Sequence, residues 1–194
     1  MIAELVKQNR SCRRFKEERP ISPDTLQSLV DLGRLSASAA NRQPLKYILS
    51  CKPAKNAEIF SCLAWAAYLK DWKGPAEGER PSAYIVILGD TDVSTEFWCD
   101  HGIAGQSILL GACELGIAGC FIGAINRDKL RNVLNISVRY KIMLVIALGE
   151  PGEKIVLEST APGGSIKYWR DENDVHHVPK RPLKEIILQT YAGD

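Results

Sequence analysis

Arg10-Ser11-Cys12-Arg13-Arg14-Phe15 places three arginines and a hydroxyl within five positions, directly after a short apolar-periodic segment. A guanidinium is a planar fork of donors that stays charged at any physiological pH, and the serine adds one further donor. Such a group suits a phosphate monoester. Each charge-assisted hydrogen bond to it contributes roughly 1.5–3 kcal/mol where water is kept away. The stretch therefore reads as a loop that holds the phosphate of a cofactor, with the rest of the chain building the slot for its ring. A solvated basic face has the same composition, so other stretches must decide between the two.

Upstream, Ile2, Leu5 and Val6 share one helical face, which predicts a short first helix over 2–9. Downstream, Ser22-Pro23-Asp24 reads as an N-cap, a proline at the first helical position and an acid in the first turn. That second helix ends near Ser36 and leads into Ser36-Ala37-Ser38-Ala39-Ala40-Asn41-Arg42-Gln43-Pro44. The small residues there suit a backbone that approaches a ligand closely. Asn41 and Gln43 carry the donors and acceptors needed to read a heteroaromatic edge, although a plain surface turn has the same residues. A strand is expected from Tyr47 to Cys51, a helix over 55–70, a loop from Asp71 to Pro81 and a central strand at Tyr84–Leu88. Tyr68 and Trp72 flank that loop and could cover a ligand or simply pack.

From about Thr95 to Leu115 the pattern predicts a long helix that is apolar or small nearly all round. Such a helix must be covered on every side, within the chain or by a second subunit. Gly116 ends it, and Cys120-Phe121-Ile122 runs into Gly123, where a backbone can approach a flat ligand. A short amphipathic helix over Arg127–Leu134, a second central strand over Tyr140–Leu148, a Gly- and charge-rich tail from Pro162 to Asp174 and a last helix over Leu183–Leu188 complete the reading. Lys180 and Arg181, just before that helix, form a second basic pair.

Composition narrows the function classes. The 194 residues suit one domain, with 45% hydrophobic and 25% charged residues, ordinary for a soluble globular protein. A net charge of +2 leaves no basic excess on the scale that nucleic acids need. No apolar run resembles a signal peptide or a membrane span. None of the six cysteines forms a C-x-x-C pair, and the three histidines form no H-E-x-x-H, so a metal site is not expected. Reduced cysteines fit a cytoplasmic enzyme.

Five stretches in order carry a resemblance: Arg10–Phe15, Ser38–Pro44, Cys120–Gly123, Leu148-Gly149-Glu150-Pro151 and Pro179-Lys180-Arg181-Pro182-Leu183. Together they resemble the nitroreductase family of FMN-dependent oxidoreductases. The resemblance implies an α+β fold with a mostly antiparallel central sheet flanked by helices, over residues 1–194 as a single domain. It further implies a homodimer with FMN at the subunit interface. Arg10, Ser11 and Arg13 match phosphate-binding positions, and Arg181, with Lys180 as second choice, matches the basic position near the C-terminus. Ala37, Ser38, Ala39, Asn41 and Gln43 match the loop that meets the flavin from the other subunit. Phe121, Ile122 and Gly123 match the stretch along the isoalloxazine ring. Asn9, Ala37, Leu45 and Phe121 depart from the residues common at their positions.

The implied activity passes a hydride from NADH or NADPH through flavin N5 to a small electron-poor acceptor, nitroaromatic or quinone-like, by a ping-pong mechanism. No catalytic side chain is singled out. The alternatives are a flavin-dependent dehalogenase or enone reductase with a narrow acceptor, a flavin-binding protein with little turnover, and an anion- or nucleic-acid-binding module. The near-neutral charge and the absence of aromatics interleaved with the arginines argue against nucleic acid.

Overall fold

Alternate residues of Ala83–Asp90 face two different cores. Tyr84, Val86 and Leu88 pack with Cys120, Ile122, Val145 and Ala147 on one side, and Ala83, Ile85 and Ile87 pack with Ile146 and Leu148 on the other. A strand buried on both faces has no need for polar alternation, which is why the run is continuously apolar. The computed structural model describes residues 1–193. Its elements in chain order are α1 (Ile2–Gln8), α2 (Pro23–Arg34), a 3-10 turn (Ala39–Asn41), β1 (Leu45–Ser50), α3 (Pro53–Phe60), β2 (Ala83–Asp90), α4 (Asp100–Glu114), β3 (Ala118–Ile122), α5 (Arg127–Leu134), β4 (Tyr140–Gly149), β5 (Ile155–Ser159), β6 (Trp169–Arg170), β7 (His176–Lys180) and α6 (Leu183–Ile186).

The main sheet has four strands in the order β1-β2-β4-β3, every neighbouring pair antiparallel. Helices α2 and α4 cover one face through Leu26, Leu29, Ile108, Leu109 and Ala112. Ile59 of α3 and Leu130 of α5 cover the other. The fold is therefore α+β with a mostly antiparallel central sheet between helices, as the resemblance implies. The expected cap at α2 is present: the Ser22 hydroxyl accepts from the Thr25 amide at 3.0 Å, with Pro23 next in line. Among the described residues no helix is long and apolar enough to cross a membrane.

Three elements differ from the sequence reading. The helix expected over 55–70 ends at Phe60. Beyond it the Ala64 amide donates to the Ala124 carbonyl at 2.9 Å and Leu63 bridges Ile125, so pairing with the segment after β3 replaces helical bonds. Helix α4 starts at Asp100 rather than Thr95, because Phe97 fills the space over Gly89, where a Cβ would meet its ring at 2.3 Å. Nor is α4 covered all round within one chain: Ile103 is 43% exposed, and Gly102 and Gln106 are exposed beside it. Finally, the chain after β4 contains strands that the sequence reading does not name. It forms a second, three-stranded sheet ordered β5-β7-β6, with β5 and β7 parallel.

Candidate functional site

After α1 the chain is stitched across the ends of β3 and β4. The Cys12 amide donates to the Gly119 carbonyl (3.1 Å), the Lys16 amide to the Glu150 carbonyl (2.9 Å), and the Gly152 amide to the Arg14 carbonyl (2.9 Å). Phe15, 2% exposed, is the hydrophobic anchor. It lies against Gly149 and Gly152, and a Cβ on Gly152 would come within 2.9 Å of Phe15 main chain, so a side chain there would push the loop off. Glu153 completes the attachment: its carboxylate accepts from the Arg13 and Arg14 amides and from the Arg170 guanidinium at 2.8 Å. That side chain is 1% exposed, so the charge is buried and fully engaged.

This attachment sorts the arginines. Arg14 is turned toward acids, 3.4 Å from Glu79 and 3.2 Å from Asp174. Arg10 and Arg13 instead line an open cavity of about 560 Å³ together with Ser11, Phe121, Lys180 and Arg181. Residues from both ends of the chain thus meet at one wall. Arg13 also lines an adjoining cavity of about 290 Å³, which shares Phe121 and Tyr168 and continues along Ile122 and Gly123. Volumes of this size are those of small-molecule sites.

Several polar atoms around the larger cavity have no protein partner. The Arg10 Nε and both ring nitrogens of His176 are buried and unpaired. Leaving such a group unsatisfied costs about 1–3 kcal/mol, more for a charged one. Four cationic side chains lining one cavity, and Phe121 with Gly123 lining the cavity that adjoins it, are complementary to a phosphate joined to a flat heteroaromatic ring. The residues present therefore fit FMN, the group implied by the sequence resemblance.

The Ser38 loop lies elsewhere in the same chain. Ala37, Ser38 and Gln43 line a separate cavity of about 440 Å³ with Tyr47 and Asp100. Asp100, buried at the start of α4, organises it: the Ser38 hydroxyl donates to its carboxylate at 2.6 Å and the Ala39 amide at 3.0 Å. The Gln43 amide in turn donates to the Ser38 hydroxyl at 2.9 Å. Positive φ at Ala40, Asn41 and Gln43 marks a tightly wound segment held by these bonds. Asn41 and Gln43 hydrogen-bond each other at 3.1 Å. Within one chain these residues are not brought together with the arginines.

Burial pushes the Cys12 and Cys120 thiols up to about 12, so both stay protonated and unreactive. His176 is pulled down to about 4, first by burial and then by the nearby Arg13 and Arg170 charges, with Glu153 opposing. Its neighbour His177 goes the other way: hydrogen bonding to Glu158 raises it despite desolvation, and Asp171 adds to the rise.

The sequence reading missed Glu153, Tyr168, Arg170, His176 and Asp100. Tyr168 carries the Arg13 guanidinium on its face at 4.8 Å and packs against Tyr68 at 5.0 Å and His176 at 5.3 Å. Arg170 lies 4.5 Å over Trp72. Asp100 alone left a local signal, an acid at the start of an apolar helix. The others are pairings between distant segments.

Comparison with known proteins agrees with this fold. The family model described as "Nitroreductase family" matches residues 6–150. An Archaeoglobus fulgidus protein named, provisionally, as an NADH dehydrogenase/NAD(P)H nitroreductase is 27% identical over 149 residues, 73% of this chain and 80% of its own. A nitroreductase from Desulfovibrio desulfuricans, likewise named provisionally and solved in complex with FMN, superposes with a TM-score of 0.71 at 20% identity, covering 99% of this chain and 98% of that one. The nitroreductase family protein of Streptococcus pneumoniae gives 0.70 at 19% identity over 98% and 100% of the two chains. The arginine loop, the four-stranded sheet it is stitched to and the match over most of the length place this chain in the nitroreductase family.

Proposed function

We propose that this protein is an FMN-dependent oxidoreductase taking its electrons from NADH or NADPH and passing them to an electron-poor ring, nitroaromatic or quinone-like. The observation that carries the reading is the convergence of Arg10, Arg13, Lys180 and Arg181 on one cavity whose extension runs along Phe121, Ile122 and Gly123. FMN, when bound, supplies the hydride chemistry, donor and acceptor using it in turn. The four cations with Ser11 hold its phosphate. Phe121 offers a flat apolar surface, and Gly123, with only Leu144 within 4 Å of an added Cβ, leaves the approach open.

Ala37, Ser38, Ala39, Asn41 and Gln43 serve the site from a second copy of the chain. Two observations support that arrangement: the Ser38 loop lies apart from the arginines of its own chain, and α4 keeps Ile103 exposed next to it. No side chain acts as a nucleophile in this reading. The two buried thiols near the loop stay protonated, which suits a protein whose task is to orient a ring and exclude water.

The test is the visible spectrum of the purified protein, with the chromophore identified after denaturation. FMN near one per chain, turned over by NADH or NADPH, is the expected result. Arg13→Ala and Arg181→Ala are expected to lose FMN while keeping the far-ultraviolet circular dichroism. Full retention of FMN in both variants contradicts the phosphate assignment.

A further inference from the structure

Taking the arginine-lined cavity as the site of the flavin phosphate, we infer that His177 is a positioning residue that makes FMN affinity depend on pH: as an imidazolium it clasps β6 into the second sheet, and the clasped β6 holds Arg13 in place. His177 lines neither cavity of that site. It joins three strands instead. Its Nδ1 lies 2.5 Å from the Glu158 carboxylate of β5, and its Nε2 lies 3.4 Å from the Asp171 carboxylate that follows β6. The Trp169 ring of β6 stacks on the imidazole at 4.2 Å and 9°. A neutral imidazole carries one N–H and can serve only one carboxylate, leaving the other against a lone pair. Both are served only by the doubly protonated ring, which also gains from the indole face. His176, next along β7, stays neutral, pulled down to about 4 chiefly by burial. The Glu158 hydrogen bond raises His177 above its usual 6.5.

The clasp matters because β6 has little else to hold it. It is only Trp169–Arg170, paired with β7 through Trp169 opposite His177 and Arg170 opposite His176. Asp171 also shapes the turn back to β7, its carboxylate accepting from the Asn173 amide at 2.9 Å and the Val175 amide at 2.8 Å. Two side chains of this short segment reach the arginine loop. Tyr168 carries the Arg13 guanidinium on its ring face at 4.8 Å. Arg170 pairs with Glu153, whose carboxylate accepts from the Arg13 and Arg14 amides. When His177 loses a proton, Asp171 faces a lone pair, the turn loosens, and Tyr168 and Arg170 no longer fix Arg13 in one position. FMN favours the clasped form, so its affinity falls as pH rises through the folded value of His177.

Asp171→Asn separates the clasp from the proton. The amide oxygen keeps the two turn bonds, and the amide nitrogen donates to the Nε2 of a neutral His177, so the clasp stays closed at every pH. FMN dissociation constants are measured by quenching of flavin fluorescence from pH 6 to 8.5 in the parent, Asp171→Asn and His177→Gln. Ionisation of the FMN phosphate is common to all three, so ratios between them isolate His177. The parent is expected to match Asp171→Asn at pH 6 and to bind about fivefold more weakly than it at pH 8.5. His177→Gln, which lacks the cation, is expected to be about fivefold weaker than the parent at pH 6 and equal to it at pH 8.5. Ring ¹H–¹⁵N spectra of the flavin-free protein, with the His177 signals assigned by their loss in His177→Gln, are expected to show it titrating over the same interval.

Ratios that stay constant across the pH range, or that change outside the interval in which His177 titrates, overturn the inference and leave the flavin reading standing. Should Asp171→Asn not fold, the comparison with His177→Gln decides by itself. A parent protein that binds no FMN at any pH removes the flavin reading and the inference together.

Discussion

The carboxylate of Glu153 gathers the Arg13 amide, the Arg14 amide and the Arg170 guanidinium into one buried cluster. Removing one member of such a cluster strands the others, so Glu153→Ala is expected to cost about 3–5 kcal/mol, read as a shift in the urea midpoint. The histidine pair next to it sets opposing pH limits. His176 is held far below the unfolded value of 6.5, at about 4, so its contribution falls as pH drops from 6.5 toward 4, where only the unfolded chain takes up the proton. His177 is raised above 6.5, so what it contributes is complete below 6.5 and lost as pH rises through its folded value. Stability against pH is therefore expected to peak near 6.5. His176→Phe should flatten the acid limb and His177→Gln the alkaline one, as measured by thermal melts from pH 4.5 to 8.5. At this scale the sequence is only partly legible. Arg10, Arg13 and Arg181 stand out because cations cluster locally, but Arg14 looks identical to Arg13 until Glu79 and Asp174 are seen beside it. Glu153 and His176 acquire their roles from partners far along the chain.

Strands β2 and β4 are legible directly, since a long apolar run bounded by glycine suits a strand buried on both faces and little else. The ends of α3 and α4 are not, because each is decided by a tertiary competitor: Ala124 and Ile125 pairing with the chain after Phe60, and Phe97 seated on Gly89. The sheet β5-β7-β6 is hidden in the sequence because its strands are short, charged and separated by a Gly-rich stretch, and β6 is only Trp169–Arg170. One element contact is sharp enough to test. A Cβ on Gly119 of β3 would lie 2.6 Å from the Ala147 carbonyl of β4 and 2.8 Å from Leu109 and Leu148. Backbone of an inner strand cannot retreat, so Gly119→Ala is expected to lower stability by about 1–3 kcal/mol. Because Gly119 also accepts the Cys12 amide, the same variant should weaken FMN binding, measurable by fluorescence titration. A melt identical to the parent would show that β3 can shift away from β4.

Across the whole molecule, the proposed site needs two chains. Ile103→Asp places a charge on the exposed part of α4 without touching the cores. It is expected to halve the mass in light scattering and release FMN while the far-ultraviolet circular dichroism holds. A full-sized, yellow variant would move the interface elsewhere. The resemblance implies this arrangement, but only the structure shows that the Ser38 loop and the arginine loop line different cavities of one chain. The stitching of the N-terminal loop has a consequence for biosynthesis as well. Ser11 and Arg13 leave the ribosome well before Gly119, Glu153, His176 and Arg181. At about 5–20 residues per second the loop waits roughly 8 to 34 seconds for the last of these anchors. Until then its guanidinium groups are exposed on a nascent chain with no sheet to fix them. The proposed site can therefore load FMN only after β7 and Arg181 have emerged, and a ribosome-stalled fragment ending before β7 would be expected to retain no flavin.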